Sequence, residues 1–470
     1  MPLYLYMTTP SPSIAIPKIE ISEALIRRFD SLGPRYTSYP TADRFNDQFN
    51  EQRYIQYLEA QSSAPLSVYV HLPFCASICY YCGCNKIITK DHGRSAKYLR
   101  YLEKEMALVT AHLKGERKLV QLHLGGGTPT FLSDEELHEL MDMLRKHFNF
   151  MPDAELAVEI DPRTVTPNML SMLASLGFNR TSLGVQDFDP AVQEAVNRIQ
   201  PVEMVEQAIN ASKAAGFVSV NFDLIYGLPK QNLASFSKTL DDVIRLSPDR
   251  IALYNYAHLP ARFKPQRRIA ESDLPSAEER LQIFLMSLRR LLDEGYVYIG
   301  LDHFAKPDDE LTKAQASKSL HRNFQGYTTR AECDLIGLGL SSIGKVGDSY
   351  SQSIGTLDEY YAQLDTGHLP IKKGFELSMD DVLRRQIIMH FMCSEPIDFR
   401  AINTKYGINF TDYFAAELAQ LQQYQEAELI VIDANGITVT AKGRMFVRAI
   451  GMVFDKYLQQ ATSAQYSKLI

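Results

Sequence analysis

No apolar run in the 470 residues approaches the ~18 needed to cross a bilayer. The opening stretch "MPLYLYMTTPSPS" lacks the basic flank and the long apolar centre of a secretion signal, so it is not read as one. A basic excess is missing as well. With 49 Lys and Arg against 56 Asp and Glu, the net charge of −7 argues against nucleic acid as the main partner. Cysteine is scarce: six in the whole chain cannot build a disulfide scaffold, and four of them fall within ten residues, too close together to pair with distant partners. That usage predicts a reducing, cytoplasmic setting and a metal or redox role.

Nucleotide fingerprints are also absent. There is no GxGxxG run, and the nearest approach to a phosphate loop, "GLSSIGKV" from Gly339, puts Val346 where a Ser or Thr must hold magnesium. No internal repeat or low-complexity tract interrupts the chain. Its apolar content of 45% and charged content of 22% are ordinary for a globular protein, and its length predicts two or three domains.

From Leu66 onward, short β-prone runs alternate with amphipathic helical stretches. The runs are "SVYVHLPF", "LVQLHLGGG", "AELAVEID", "RTSLGVQDF", "SVNFDLIYGLP" and "RIALYNYAHLP". Between them lie segments such as "DEELHELMDMLRKHF" and "LASFSKTLDDVIRL", with helical spacing of apolar residues. This alternation predicts an α/β fold, an incomplete parallel (β/α)6 barrel. The C-terminal ends of the runs carry the unusual residues, the rim where barrel active sites lie. The predicted division is an N-terminal arm over residues 1–47, the barrel over 48–345, and a small, mostly helical, winged-helix-like C-terminal domain over 346–470.

The cysteine loop reads Cys75-x3-Cys79-x2-Cys82-x-Cys84. Structural zinc usually takes paired knuckles from two separated segments, and Cys333 and Cys393 stand alone. Three thiolates at this spacing suit a four-iron four-sulfur cluster with one iron left open. Cys84 is expected to project away from the other three. Thiol chemistry alone leaves zinc, a cluster and inert buried cysteines all open. The glycines of "LGGGTPT" are expected where backbone must approach a ligand closely. Glu159, at a strand end, is expected to lack an internal partner and to need a ligand.

CxxxCxxC after a strand, with "LGGGTPT" closing the next, resembles the radical S-adenosylmethionine (radical SAM) enzymes. In combination, "GPRYTSYPTA", "YVHLPFC", "CYYCGCN", "GVQDF", "NFDLIYGLP", "GLDHFAKPDDEL" and "HRNFQGYTT" are similar to the oxygen-independent coproporphyrinogen III oxidase family. The resemblance runs from about Gly33 into the C-terminal part. It implies that Cys75, Cys79 and Cys82 hold one 4Fe-4S cluster whose fourth iron is chelated by SAM. It also implies two SAM molecules, contacted by Tyr69, Tyr81, Gly126, Gly127, Thr128, Glu159, Gln186, Arg198, Asp223, Ala257 and Ile343.

The implied reaction turns two propionate side chains of coproporphyrinogen III into vinyl groups through a 5′-deoxyadenosyl radical, giving protoporphyrinogen IX. His71 and Cys84 are the candidates for proton or electron handling. A reducing donor of flavodoxin or ferredoxin type, an unidentified electron acceptor and a monomeric state belong to the same reading. Four substrate carboxylates call for cations, and Arg35, Arg262, Lys264, Arg267, Arg268 and Arg322 are the candidates. The alternatives are a haem-binding chaperone of the same family, whose relatives usually replace Cys84 with an aromatic residue and lack the arm, or an anaerobic haem-modifying enzyme.

Overall fold

The computed structural model describes residues 23–60, 64–330 and 333–458, so most of the N-terminal arm lies outside the described residues. All six expected strands form: β1 (Leu66–Leu72), β2 (Lys118–Gly126), β3 (Asn149–Ile160), β4 (Arg180–Gln186), β5 (Ser219–Tyr226) and β6 (Arg250–Asn255). Each pairs in parallel with the next, and a helical crossover returns the chain between them. Both faces of β1 are covered: Val68, Val70 and Leu72 are buried on one, Ser67 and His71 on the other. Parallel strands between helical layers must be built this way.

The crossover helix Asp134–His147 shows why these segments fold as they do. Ser133 accepts from the Glu136 N–H, and the Glu136 carboxylate accepts from the Ser133 N–H, so two orphan donors are satisfied at its start. Leu137, Leu140, Met141 and Leu144 follow at helical spacing and are fully buried. Each contributes roughly 1.5–3 kcal/mol by leaving water. Further on, Gly216, at φ 92°, ends the helix Val202–Ala215 in the left-handed turn that glycine adopts without strain.

The sheet is wider than six strands. Beyond β6 lie β7 (Val297–Gly300) and β8 (His303–Ala305), antiparallel. On the other side of β1, β9 (Asp334–Leu338) adds a seventh parallel strand. It is followed by antiparallel β10 (Ile343–Val346), β11 (Ser349–Ser353) and β12 (Ile371–Glu376). The sheet order is β12-β11-β10-β9-β1-β2-β3-β4-β5-β6-β8-β7. The boundary expected after residue 345 therefore falls inside β10, and the main sheet continues to Glu376. "GLSSIGKV" is a strand and its turn rather than a phosphate loop, since no helix follows it. Its Gly339 N–H donates to Glu105, a buried carboxylate that also accepts from the Tyr360 hydroxyl at 2.6 Å.

From Met379 the chain forms three longer helices, Met379–Met392, Phe399–Tyr406 and Ala415–Glu426, with a small three-stranded sheet. This part holds the arm. Arg448 donates to the carbonyls of Gly33 and Pro34, and the Tyr36 hydroxyl donates to Asp455 at 2.9 Å. Arg35 reaches from the arm to Asp302 and to the carbonyl of Asn255 at the end of β6.

Candidate active site

The C-terminal ends of β2 to β5 and the cysteine loop enclose a cleft of about 170 Å³. Cys75, Cys79 and Cys82 line it, together with Tyr81, Gly126, Gly127, Thr128, Glu159, Gln186, Arg198 and Asp223. The structure thus gathers three candidate ligands and eight candidate SAM contacts from positions up to 148 residues apart in sequence (Asp223 less Cys75). Among the described residues, no three His, Cys, Asp or Glu side chains converge as they would around a single ion. The three thiols share a cleft without closing a tetrahedron, so they fit a multi-iron cluster better than zinc.

The donors around the sulfurs fit that group as well. Arg198 and Arg163 each place a guanidinium nitrogen 3.5 Å from the Cys79 sulfur, and the Thr128 hydroxyl lies 3.4 Å from the Cys75 sulfur. Asp161 holds both arginines, accepting from Arg163 at 2.7 Å and from Arg198 at 3.2 Å. Burial pushes the Asp161 carboxyl up, but Arg198 and Arg163 outweigh it and hold the group below the usual range. A cluster bound by thiolates is anionic, and fixed cations beside its sulfurs offset that charge.

Cys84 does not project away. It lines the same cleft and its thiol hydrogen-bonds Cys82, pulling the Cys82 thiol down to about 6. One residue of separation does not reverse the side chain here because the loop is irregular rather than a strand. Lys86 fastens the turn by donating to the carbonyl of Cys82 at 2.9 Å.

The triple glycine is a packing joint within the protein. A Cβ at Gly125 would lie 2.7 Å from Glu159, one at Gly126 would lie 2.5 Å from the His71 ring, and one at Gly127 would lie 2.6 Å from the Pro73 backbone. Gly126 also has φ 109°, a region closed to other residues without strain. The N–H groups of Gly127 and Thr128 then donate to the carbonyls of Leu72 and Phe74, both at 2.8 Å, locking the cysteine loop to the end of β2.

Glu159 likewise has the internal partners it was expected to lack. It accepts from His123 at 3.2 Å and from the Gly126 N–H at 3.1 Å, while its side chain stays 42% exposed to the cleft. Desolvation works against its charge, yet His123 and Gly126 hold it below the ordinary carboxylate range. Asp223 differs: burial raises it to about 6, and it accepts from Ser182 at 2.6 Å and Asn221 at 3.0 Å.

His71 is buried with both ring nitrogens engaged. Its Nδ1 accepts from the Tyr69 hydroxyl at 3.1 Å, and its Nε2–H donates to the Asn85 carbonyl at 2.9 Å. Burial lowers its pKa, so the ring is neutral. Tyr69, Ala257 and Ile343 do not line the cleft. Tyr69 stacks on His123, the Ala257 carbonyl accepts from Gln266 at 3.2 Å, and Ile343 packs near Phe45 and Tyr350.

Among the candidate cations, Arg262, Lys264, Arg267 and Arg268 are exposed on a segment that lies over the cysteine loop, where Gln266 donates to the Tyr81 carbonyl at 2.9 Å. Arg35 is paired with Asp302. Arg163 and Asp161 were missed in sequence. Their one signal is position, immediately beyond the strand end that carries Glu159.

Two family models match the chain, the Radical SAM superfamily over residues 69–243 and the HemN C-terminal domain over residues 377–446. The oxygen-independent coproporphyrinogen III oxidase of Pseudomonas aeruginosa is 49% identical over 95% of this chain and 98% of its own length. The chain belongs to the oxygen-independent coproporphyrinogen III oxidase family. The Escherichia coli family member is 45% identical over 97% of this chain and 100% of its own. A solved structure of the Escherichia coli coproporphyrinogen III oxidase, described as a radical SAM enzyme, superposes with a TM-score of 0.89 at 44% identity. It covers 93% of this chain and 99% of that one. As a radical SAM enzyme of this family, the chain is an oxidoreductase that uses a 4Fe-4S cluster and SAM.

Proposed function

We propose that this enzyme converts coproporphyrinogen III to protoporphyrinogen IX without oxygen, by oxidative decarboxylation of two propionate side chains. The observation that carries this reading is the near full-length identity to oxidases of that name, joined to a cleft in which the three spaced cysteines meet the strand ends. In this reading Cys75, Cys79 and Cys82 would hold the cluster, which with SAM would supply the radical chemistry that takes a hydrogen atom from a propionate.

The chain's own residues bind and orient. Glu159, anionic and open to the cleft, accepts from an ammonium or hydroxyl group of SAM. Asp223, raised by burial to about 6, would accept from a ribose hydroxyl. Gly126, Gly127 and Thr128 fix the loop, and Gln186 reaches the cleft from a left-handed backbone at φ 68°. Arg198 and Arg163 set the charge beside Cys79. His71, held neutral between Tyr69 and Asn85, keeps its proton on Nε2 and acts by positioning. Ala257 and Ile343 are assigned to the second SAM, outside this cleft. Cys84 is assigned as a thiol beside the cluster and not as its ligand.

A one-electron donor of flavodoxin or ferredoxin class, a separate electron acceptor, a monomeric state and a cytoplasmic setting complete the proposal. The proposed division is again an arm, a catalytic part and a C-terminal part, with the last boundary moved from 345 to Leu377, just past the last strand of the wide sheet. Both Cys84 and the arm favour the enzyme over a haem chaperone. The test is anaerobic incubation of reconstituted protein with SAM, reductant, an electron acceptor and coproporphyrinogen III. Protoporphyrinogen is the expected product. No product together with tight stoichiometric haem binding would overturn the reading.

A further inference from the structure

A second cavity of about 310 Å³ fills the inside of the sheet and shares Glu159, Ser182 and Asp223 with the catalytic cleft. It meets a third cavity of about 360 Å³ at Thr328. The three are neighbours, each sharing lining residues with the next, from the cysteine loop to the junction with the C-terminal helices. At the far end the lining turns cationic. Arg322, Arg330, Lys345, Arg385 and Lys405 line the third cavity, with Glu395 as the one carboxylate among the described lining residues. The whole chain is acidic, so this concentration of cations is local.

Arg322 stands out among them. Its Nε and Nη1 are buried with no hydrogen-bond partner, and its guanidinium lies 4.9 Å from the Tyr327 ring centroid. Across the cavity, on the helix Met379–Met392, the Nη1 of Arg385 is also buried and unpartnered, while its Nη2 donates to Asp348 at 2.9 Å. Arg330 pairs with Asp153, and Lys405 donates to Gln386. Two guanidiniums, one from the hairpin that pairs His321–Asn323 with Gly326–Thr328 and one from the C-terminal helix, thus line the same cavity and carry buried, unused donors. A buried guanidinium without an acceptor is costly, and a bidentate carboxylate is the group that best fills its fork.

The geometry points to this junction as the seat of the substrate's non-reacting carboxylates, with Arg322 as the main anchor and Arg385 closing it from the C-terminal part. The assignment rests on the proposed porphyrinogen substrate. It deepens that proposal by naming which cations read the number of carboxylates on the ring. Arg262, Lys264, Arg267 and Arg268 are exposed instead.

The test uses reconstituted full-length protein and two air-stable porphyrins: coproporphyrin III, with four carboxylates, and protoporphyrin IX, with two. Wild type should bind the first more tightly in a fluorescence titration. Arg322→Gln and Arg385→Gln should each weaken coproporphyrin III binding about tenfold or more, with little effect on protoporphyrin IX. Cluster content should be unchanged, and Arg322→Lys should restore part of the loss. The melting temperature of Arg322→Gln should fall by no more than a few degrees, because Nε and Nη1 give up no hydrogen bond and the contact with the Tyr327 ring is a weak one. Unchanged coproporphyrin III binding in Arg322→Gln overturns the inference. So does an equal loss for both porphyrins with a larger fall in melting temperature, which marks a structural cation. If wild type binds neither porphyrin, the proposed substrate falls as well.

Discussion

The Arg198 guanidinium lies 3.5 Å from the Cys79 sulfur while its other nitrogen donates to the Gly184 carbonyl at 2.6 Å. Hydrogen bonds to ligating sulfurs stabilise the more negative, reduced state of a cluster. Arg198→Leu should therefore keep its iron, because Arg163 still faces Cys79, but lower the cluster's reduction potential. The expected shift is on the order of 60 mV, a tenfold change for a one-electron couple. Potentiometry followed by electron paramagnetic resonance measures it, and an unchanged potential would show that the contact carries no electrostatic weight.

Gly126→Ala should damage cluster retention more than global stability. The backbone at φ 109° costs a side chain roughly 1–2 kcal/mol, and the new methyl group must displace the His71 ring. Iron per chain after reconstitution should fall severalfold while the melting temperature drops by a few degrees. A fully loaded cluster in this variant would mean that His71 and the loop can move aside at no cost.

Glu105 gives a pH signature. Burial raises its carboxyl to about 7 from an ordinary 4.5. A raised folded-state pKa means that the folded protein prefers the protonated form. The preference counts fully below pH 4.5 and is lost as pH climbs to about 7, a change of about 3 kcal/mol. Glu105→Gln lacks that loss and can still accept from Gly339 and Tyr360. Denaturant unfolding should show its advantage over wild type growing between pH 5 and 7 and levelling off above. A constant difference across that range would place the titration elsewhere.

Cys84→Ser should retain the cluster's absorbance and iron, whereas Cys82→Ser should lose both. The two thiols hydrogen-bond each other, so the comparison holds location nearly constant while changing the proposed ligand. Loss of iron in both variants would make Cys84 a ligand after all.

The six parallel strands were readable because buried parallel strands are short apolar runs between amphipathic helices, and helical spacing is hard to mistake. β9 to β12 escaped notice for the opposite reason. No helix separates β9, β10 and β11, the helix Leu357–Asp365 alone stands before β12, and "SYSQS" is polar in sequence although its three serines are buried. At the site, residues adjacent to the cysteines or ending an obvious strand were legible. The partners of Glu159 were not, because His123 sits on the neighbouring strand, 36 positions away in the chain, and only the parallel register brings it across. Arg322 could be named as a cation, but its missing acceptor is visible only in three dimensions.

The grip of Arg448 and Asp455 on residues 33–36 orders events on the ribosome. The barrel strands and the cysteine loop emerge hundreds of residues before the segment that fastens the arm against Asn255 and Asp302. Until residues 448–455 have been made, the arm lacks the anchor that carries Arg35 to the end of β6.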